Sequence, residues 1–333
     1  MLINCYSYAR AGLLGNPSDG YFGKTIALAL ADFPAVVTIY ESPEIHLSQN
    51  VEDSGDFDSL EDMVREIDRF GYYGGIRLLK ATSREFFKYC KEGGIVIPKR
   101  NFTLRYRTTV PQLVGLGGSS AICTATIKAL QKFYEIEIPR HIAATLCWKA
   151  ECELNIKCGL QDRVIQMYNG IVYMDFDRRY FEEHGYGKYE QLRPEKMPRV
   201  FLAYDPERAE FSGSYHQRLN DAAQERKNEI AAAMSEFADY ARLGREALLN
   251  GDTAELNRLI NANFDLRDRV LNVSPQNRQM VLTARQSGAS AKFAGSGGAI
   301  IGLFTDDAMF AQLKADLETI GCAVLEPKVA MPE

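Results

Sequence analysis

The sequence lacks a long apolar run: nothing in its 333 residues approaches the roughly 20 apolar residues needed to cross a bilayer. The opening residues, MLINCYSYAR, have no basic head followed by a long apolar stretch, so we expect no signal peptide and a cytoplasmic protein. Strong charge of one sign is also missing, because the formal net charge is only −5. This balance does not favour binding to nucleic acid or to a membrane surface.

Metal and disulfide signatures are missing as well. The seven cysteines are scattered without a CxxC pair, and the four histidines are isolated without an HExxH motif. An odd number of scattered cysteines is ordinary for a cytosolic protein, and we interpret these residues as small buried side chains. The spacing of both residue types argues against a zinc site.

The composition is that of a folded globular protein, with 46% hydrophobic and 25% charged residues. At 333 residues the chain is too long for one small core, so we expect one large domain or two subdomains. Strand and helix patterns occur in both halves without strict alternation, which favours an α+β fold. The charged, turn-rich stretch near 180–195 predicts a boundary between domains 1–190 and 191–333.

Hydrophobic periodicity predicts the main elements. Residues 102–110 alternate between apolar and polar side chains, as in a half-buried strand, and Pro111 ends it. The stretch GIRLLKATSREFFKYCKE predicts a helix that Gly93 and Gly94 stop. Further strands are predicted at 24–40 and in RVFLAY, further helices at 60–70, 139–156, 220–249, 253–270 and 276–287, and a strand–helix–strand tail from GAIIGLF onward.

The stretch PQLVGLGGSSAIC, residues 111–123, connects a predicted strand to a predicted helix through a glycine loop. Such a loop can hold an anion, because glycine admits close approach and the helix start presents unpaired N–H groups. It is not a Walker A loop, which needs a lysine, nor a GxGxxG fingerprint, which needs glycine at Ser120. Taken alone, it also fits a tight turn with a serine cap.

Two further glycine-punctuated segments accompany this loop, at residues 9–25 and 292–304. The three segments, in this order, resemble those of the GHMP kinases, a family of small-molecule kinases. The second motif of that family, P-x-x-x-G-L-G-x-S-S-A, is matched from Pro111 to Ala121. The first motif is matched by Arg10, Gly15 and Asp19, and the third by Gly295, Ser296, Gly297 and Gly298.

The resemblance implies a two-subdomain GHMP kinase fold. Its N-terminal part is similar to domain 2 of ribosomal protein S5, and its C-terminal part is ferredoxin-like. Several stretches narrow the resemblance to the plant-type glucuronokinases: GNPSDGYFGKTIAL, GYYGGIRLL, GLQDRV, VYMDF, NFDLR and KFAGSGGA. That group implies an ATP-dependent sugar-1-kinase with Mg²⁺, which phosphorylates D-glucuronate at O1. The first motif departs from many members, since Gly15-Asn16-Pro17 replaces Gly-Glu-His.

The resemblance also implies roles for individual residues. The nucleotide phosphates would bind to the loop formed by Gly115, Leu116, Gly117, Gly118, Ser119, Ser120 and Ala121. Ser120 and Glu151 would hold the magnesium ion, and Asp162 would accept the sugar hydroxyl proton. Arg10 would stabilise the transferring phosphoryl group and so replace the missing loop lysine. The residues implied in substrate binding are Asp19, Lys24, Gly297 and Gly298.

Two alternatives to a glucuronokinase remain open from the sequence. One is another GHMP kinase, similar to galactokinase or to a heptose-phosphate kinase. The other is a sugar sensor that has lost catalysis, although the presence of Arg10, Glu151 and Asp162 favours an active enzyme. A substrate carboxylate would need a cation, for which Arg77, Arg163 and Arg267 are candidates. The oligomeric state does not follow from the sequence.

Overall fold

The computed structural model describes residues 2–48, 74–156, 159–206, 219 and 224–332. The helix predicted at 60–70 lies outside these ranges. In the described part of the chain, six strands form a first sheet: β1 (Leu2–Leu14), β2 (Lys24–Ser42), β3 (His46–Leu47), β4 (Asn101–Thr108), β5 (Ile171–Asp175) and β6 (Lys188–Leu192).

Strand β2 organises the first sheet. It spans 19 residues and pairs with β1 along most of its length. Its other edge is shared, because β5 pairs with residues 24–28 and β4 with residues 35–42. The β-branched run AVVTIY suits this central position, since such side chains pack well on a pleated surface. The register places Arg10 of β1 opposite Ala29 of β2, in the buried middle of the sheet.

Helices accompany the first sheet: α1 (Gly75–Glu92), α2 (Gly118–Tyr134), α3 (Arg140–Glu153), α4 (Gln161–Tyr168) and α5 (Arg178–His184). Helix α2 is buried almost all round, between β1 and β2 on one side and α1, α3 and α4 on the other. Its run SSAICTATIKAL has small and apolar side chains on every face, as a fully buried helix requires. The start of α2 is therefore held rigidly against the sheet.

A second sheet has the order β10-β7-β9-β8, and its strands are β7 (Val200–Tyr204), β8 (Lys292–Phe293), β9 (Ala299–Leu303) and β10 (Ala323–Leu325). The described residues of this half form the helices α6 (Lys227–Asn250), α7 (Thr253–Val270), α8 (Pro275–Gln286) and α9 (Asp307–Glu318). The end of the chain returns to the first sheet, where Ala31 N–H donates to Lys328 O and Ala330 N–H donates to Ala29 O, both at 2.8 Å. No helix in the described ranges is long and apolar enough to span a membrane.

The α+β prediction is confirmed, and most predicted elements lie where the periodicity placed them. Strand β1 was not predicted, because its ARAGLL end resembles a glycine-punctuated turn. Helix α5 and strand β6 were also missed, since residues 180–195 carry many charges. The division into domains 1–190 and 191–333 stays a prediction. Because β6 belongs to the first sheet and β7 to the second, a division between residues 192 and 200 suits the sheets better.

Candidate active site

Arg10 lies where the three glycine-bearing segments meet. Strand β1 carries the first segment, and the Arg10 backbone N–H donates to Leu116 O of the second at 2.9 Å. The Arg10 Nη1 donates to Gly115 O at 2.5 Å and to Ala294 O, in the third segment, at 3.3 Å. This buried guanidinium therefore connects all three segments.

The same guanidinium forms a two-pronged ion pair with Asp162. Arg10 Nε donates to Asp162 Oδ1 at 2.7 Å, and Nη2 donates to Oδ2 at 3.0 Å. The two side chains are only 8% and 9% exposed. Asp162 lies in the first turn of α4, so the pair joins that helix to β1. Parallel hydrogen bonds of this kind fix the orientation of the carboxylate as well as its position.

The second glycine segment forms the turn into α2. Gly115 and Gly117 have φ angles of 70° and 75°, in the left-handed region that favours glycine. Gly117 is the N-cap and the helix begins at Gly118. The serine cap that the sequence suggested is wrong, because the hydroxyls of Ser119 and Ser120 donate to a glutamate on α3 instead. The start of α2 thus presents N–H groups without a capping side chain, which suits an anion.

The third segment packs tightly against the second. A Cβ on Gly295 would lie 2.0 Å from Gly115 O and 2.8 Å from Arg10 Nη1, so only glycine fits there. Arg267 of α7 donates to Gly295 O at 2.8 Å and to Ser296 O at 2.5 Å, which holds this segment from behind. The two loops therefore behave as one structural unit around Arg10.

Glu151 of α3 collects the serine hydroxyls. Ser119 Oγ donates to Glu151 Oε1 at 2.7 Å, and Ser120 Oγ donates to the same oxygen at 3.2 Å. The other oxygen, Oε2, is paired with Arg163, and both side chains are at most 1% exposed. Carboxylate and hydroxyl oxygens are the donors that magnesium prefers, so this group fits the ion. In the described ranges no cluster of three or more His, Cys, Asp or Glu could hold a metal ion.

Asp19 lies beside the Arg10–Asp162 pair, in a short 3₁₀ helix that spans Ser18–Tyr21. It is 2% exposed, and Gln161 donates to it from the backbone N–H at 3.1 Å and from Nε2 at 3.4 Å. Burial raises the pKa of Asp19, and the negative charge of Asp162 raises it further. A Cβ on Gly159 would lie 2.0 Å from Asp19 Oδ2, so glycine at this position makes room for the carboxylate.

The other predicted substrate residues have different surroundings. Lys24 begins β2 and forms an ion pair with Asp175 at 3.1 Å, with both side chains partly exposed. Gly297 and Gly298 lie in the third segment, where Gly298 has a φ of 76° and a Cβ would lie 3.1 Å from Val114 Cα. The two glycines are thus beside the predicted phosphate loop, and their contact with substrate stays a prediction.

Lys292 is a structural tie whose importance does not follow from the sequence. Its Nζ donates to Gly12 O at 2.6 Å and to Asn16 Oδ1 at 2.5 Å, and the side chain is 1% exposed. Burial lowers the pKa of Lys292, and the positive charges of Arg267 and Arg10 lower it further. Lys292 thus connects the third segment, which it begins, to the first segment. Its only signal in the sequence is its position at the start of the third glycine-bearing segment.

Comparison with known proteins follows the same two halves of the chain. The profile described as "GHMP kinases N terminal domain" matches residues 77–170, and "GHMP kinases C terminal" matches residues 245–319. The chain belongs to the GHMP kinase family, and it is a phosphotransferase that acts on an alcohol group. The family and fold predicted from the three motifs are thereby confirmed.

Two relatives from Arabidopsis thaliana are similar over most of the chain. "Probable glucuronokinase 2" is 41% identical, with 89% of this chain and 82% of the relative covered. "Glucuronokinase 1" is 39% identical, with 89% of this chain and 83% of the relative covered. Among solved structures, the Lin0012 protein from Listeria innocua has a similar fold, with a TM-score of 0.82 and 15% identity. That match covers 100% of this chain and 99% of the other.

Proposed function

We propose that this GHMP kinase is a sugar kinase that phosphorylates D-glucuronate at O1 and produces D-glucuronate 1-phosphate. ATP is the phosphate donor and Mg²⁺ the metal in this proposal. The observation that carries it is the similarity of 39–41% identity to the two Arabidopsis glucuronokinases, over 89% of the chain. The arrangement around Arg10 supports an active kinase, because it offers a carboxylate, a cation and an anion-binding helix start together.

In this proposal Asp162 accepts the proton of the hydroxyl that is phosphorylated. Phosphoryl transfer depends mainly on positioning and charge neutralisation, so a carboxylate held in one orientation suits the task. Arg10 provides that orientation through its two hydrogen bonds to Asp162, at 2.7 and 3.0 Å. Its positive charge also lies next to Gly115, within the predicted phosphate loop, where it stabilises the charge that develops on the transferred group.

The nucleotide phosphates bind at the start of α2 in this proposal, on the loop from Gly115 to Ala121. Gln166 supports the loop, since its Nε2 donates to Gly117 O at 2.8 Å. Glu151 and Ser120 hold the magnesium ion, with Ser119 as a second hydroxyl on the same glutamate oxygen. When bound, ATP supplies the phosphoryl group and the metal neutralises part of its charge.

The sugar lies on the other side of Asp162, against Asp19. Among the arginines predicted for the substrate carboxylate, Arg163 donates to Glu151 and to Gly159 O, and Arg267 donates to backbone oxygens of the third segment. Both arginines are therefore held by contacts in the protein interior.

Lys24 suits the substrate carboxylate better, because its side chain is partly exposed and its backbone is hydrogen-bonded to Ser18, next to Asp19. A substrate carboxylate can replace Asp175 as its ion-pair partner.

The test is kcat/KM for glucuronate, galacturonate, glucose and galactose at fixed ATP and magnesium. We expect glucuronate to exceed the neutral sugars by roughly 10²-fold or more, because a neutral sugar leaves the carboxylate site unpaired. Lys24→Met should reduce the preference for the acid and leave the KM for ATP unchanged. Equal kcat/KM for glucose and glucuronate would overturn the substrate assignment without affecting the family assignment.

A further inference from the structure

Gln161 is the first residue of α4 and directly precedes Asp162. Its side chain is 4% exposed, and its Nε2 donates to Asp19 Oδ1 at 3.4 Å. The backbone N–H of the same residue donates to Asp19 Oδ2 at 3.1 Å. An ionised carboxylate only accepts hydrogen bonds, so the NH₂ end of the amide must face Asp19. This contact fixes which end of the amide points elsewhere.

The end that points elsewhere is the carbonyl oxygen, Oε1. It is buried, and among the described residues it has no hydrogen-bond partner. Leaving a buried acceptor without a donor costs free energy, so most such groups in proteins are paired. Turning the amide over would give Oε1 no better partner, because it would then face the acceptor oxygen of Asp19. The molecule therefore keeps an unused acceptor next to Asp162.

The ligand that suits this place is defined by its donors. Asp162, Asp19 and Gln161 Oε1 are all acceptors, and they are adjacent in space through the contacts of Asp19 with Gln161. A molecule that satisfies them must bring several O–H groups on neighbouring atoms, as a sugar does. Building on the proposed sugar-1-kinase function, the hydroxyl next to O1 is the one on C2.

We propose that Gln161 is a specificity residue whose Oε1 accepts a hydrogen bond from the C2 hydroxyl of the sugar, while its NH₂ group holds Asp19 in place. The first interaction distinguishes a sugar from its 2-deoxy analogue. The hydrogen bond to Asp19 orients the Gln161 amide, so it also sets the direction in which Oε1 points. Gln161 thus couples the substrate-binding carboxylate of the first motif to the helix that carries Asp162.

The test is a two-by-two comparison of kcat/KM, with wild type and Gln161→Met against D-glucuronate and 2-deoxy-D-glucuronate. Wild type should prefer the hydroxylated sugar by roughly 10–100-fold, the factor that corresponds to one buried unpaired acceptor. In Gln161→Met this ratio should fall close to one, because the acceptor is gone. The KM for ATP should stay unchanged in all four measurements. If Gln161→Met kept the wild-type ratio, the proposal would be overturned. Removing the Gln161 amide and removing the C2 hydroxyl would then have independent effects, as expected for groups that do not interact.

Gln191→Met is the matched control, because Gln191 Nε2 likewise donates two hydrogen bonds, to the backbone oxygens of Asn169 and Ile171, but lies on β6. It should keep the wild-type preference for the C2 hydroxyl even if its Tm falls. If Gln161→Met does not fold, Gln161→Asn is used instead. Its side chain is one methylene shorter, so the amide oxygen no longer reaches the sugar, and the preference for the C2 hydroxyl should be lost. If Gln161→Asn keeps the wild-type preference, the proposal is wrong.

Failure of the substrate assignment gives a different result. If wild type does not use glucuronate, the same comparison is made with glucose or galactose and its 2-deoxy analogue, whichever parent sugar wild type phosphorylates. If the kcat/KM ratio between that sugar and its 2-deoxy analogue still depends on Gln161, the inference about the C2 hydroxyl is supported. The proposal that glucuronate is the substrate is then wrong. If wild type phosphorylates none of these sugars, both proposals are overturned.

Discussion

Arg10 and Asp162 are 152 residues apart in the chain and form a buried ion pair through two hydrogen bonds, of 2.7 and 3.0 Å. The same arginine donates to Gly115 O and Ala294 O. One side chain thus sets the carboxylate of α4 relative to both glycine loops. The second glycine segment contains no lysine, but the guanidinium of Arg10 lies beside it. Arg10 belongs to strand β1 of the first sheet.

The first prediction concerns Asp162→Asn. The variant should be less stable than wild type, because the buried Arg10 loses its opposite charge. It should still fold and bind ATP, because Arg10 keeps its bonds to Gly115 O and Ala294 O. Its kcat should fall by roughly 10²–10⁴-fold, as expected when a positioned general base is lost. Steady-state kinetics and nucleotide binding measured on the same preparation separate the two effects. Asp175→Asn, which removes the partner of Lys24, is the control and should retain turnover. Near-normal turnover of Asp162→Asn would refute the role of Asp162.

The second prediction separates the structural role of Glu151 from its proposed role as a magnesium ligand. Glu151→Gln leaves the buried Arg163 without an opposite charge, which should cost roughly 3–5 kcal/mol of unfolding free energy. It should also raise the magnesium concentration needed for activity, because the amide does not carry the charge that holds the cation. The double variant Glu151→Gln/Arg163→Met removes both charges. It should recover most of the stability and none of the magnesium affinity.

Thermal unfolding measures the first effect, and magnesium titrations of activity measure the second. Magnesium curves of wild type and Glu151→Gln that superimpose would exclude Glu151 as a metal ligand. A double variant that regains both stability and wild-type magnesium affinity would assign Glu151 a structural role alone.

Local sequence patterns and motif spacing were enough to predict the α+β class, most helices and the residues gathered around Arg10. The serine cap was predicted wrongly, because a helix pattern does not reveal that Glu151, on another helix, competes for the hydroxyls. Strand β6 was missed because its charged residues, such as Lys188 and Glu190, resemble a solvated loop when its pairing with β5 is unknown. These failures share one cause, since each depends on a contact between segments distant in sequence.

The sequence also did not reveal which arginines are buried. Arg163 and Arg267 were considered for the substrate carboxylate, because an arginine in sequence carries no sign of its burial. Their interior acceptors, Glu151 for one and backbone oxygens of the third segment for the other, are set by tertiary structure. The same holds for Gln161, whose contact with Asp19 spans 142 residues.

The third prediction tests the contact between the two glycine loops. Gly295→Ala places a methyl group 2.0 Å from Gly115 O, so the loops must separate. Because Arg10 bridges them, we expect kcat to fall by about 10²-fold, the cost of a displacement of about 1 Å at a reacting centre. Gly20→Ala is the control, since a Cβ there has no atom within 4 Å. Its stability should stay within about 0.5 kcal/mol of wild type. Equal kinetics for both variants would show that the loop contact is not needed.

The last prediction concerns the pH dependence of stability at Asp19. Its pKa is raised above the ordinary 3.8, first by burial and then by the charge of Asp162. The folded protein therefore binds this proton more tightly than the unfolded chain, and stability is lost as the pH rises through the folded pKa. Asp19→Asn removes the titrating group, and its amide can pair with Gln161 Oε1 after that side chain turns over. The variant should thus have a higher Tm than wild type at pH 7.

The gain in Tm should shrink as the pH falls toward 3.8, because Asp19 in the folded wild type is then protonated as well. Asp306→Asn is the control of opposite sign. The hydrogen bond from the Met309 N–H lowers the pKa of Asp306, the exposed N-cap of α9. Ionised Asp306 therefore stabilises the folded state above pH 3.8, and this contribution is lost as the pH falls below that value. Thermal melts from neutral pH to below pH 3.8 distinguish the two cases, because the contribution of Asp306 is lost only below that value. An Asp19→Asn variant with a lower Tm than wild type at pH 7 would mean that its hydrogen bonds to Gln161 outweigh the cost of burying the charge.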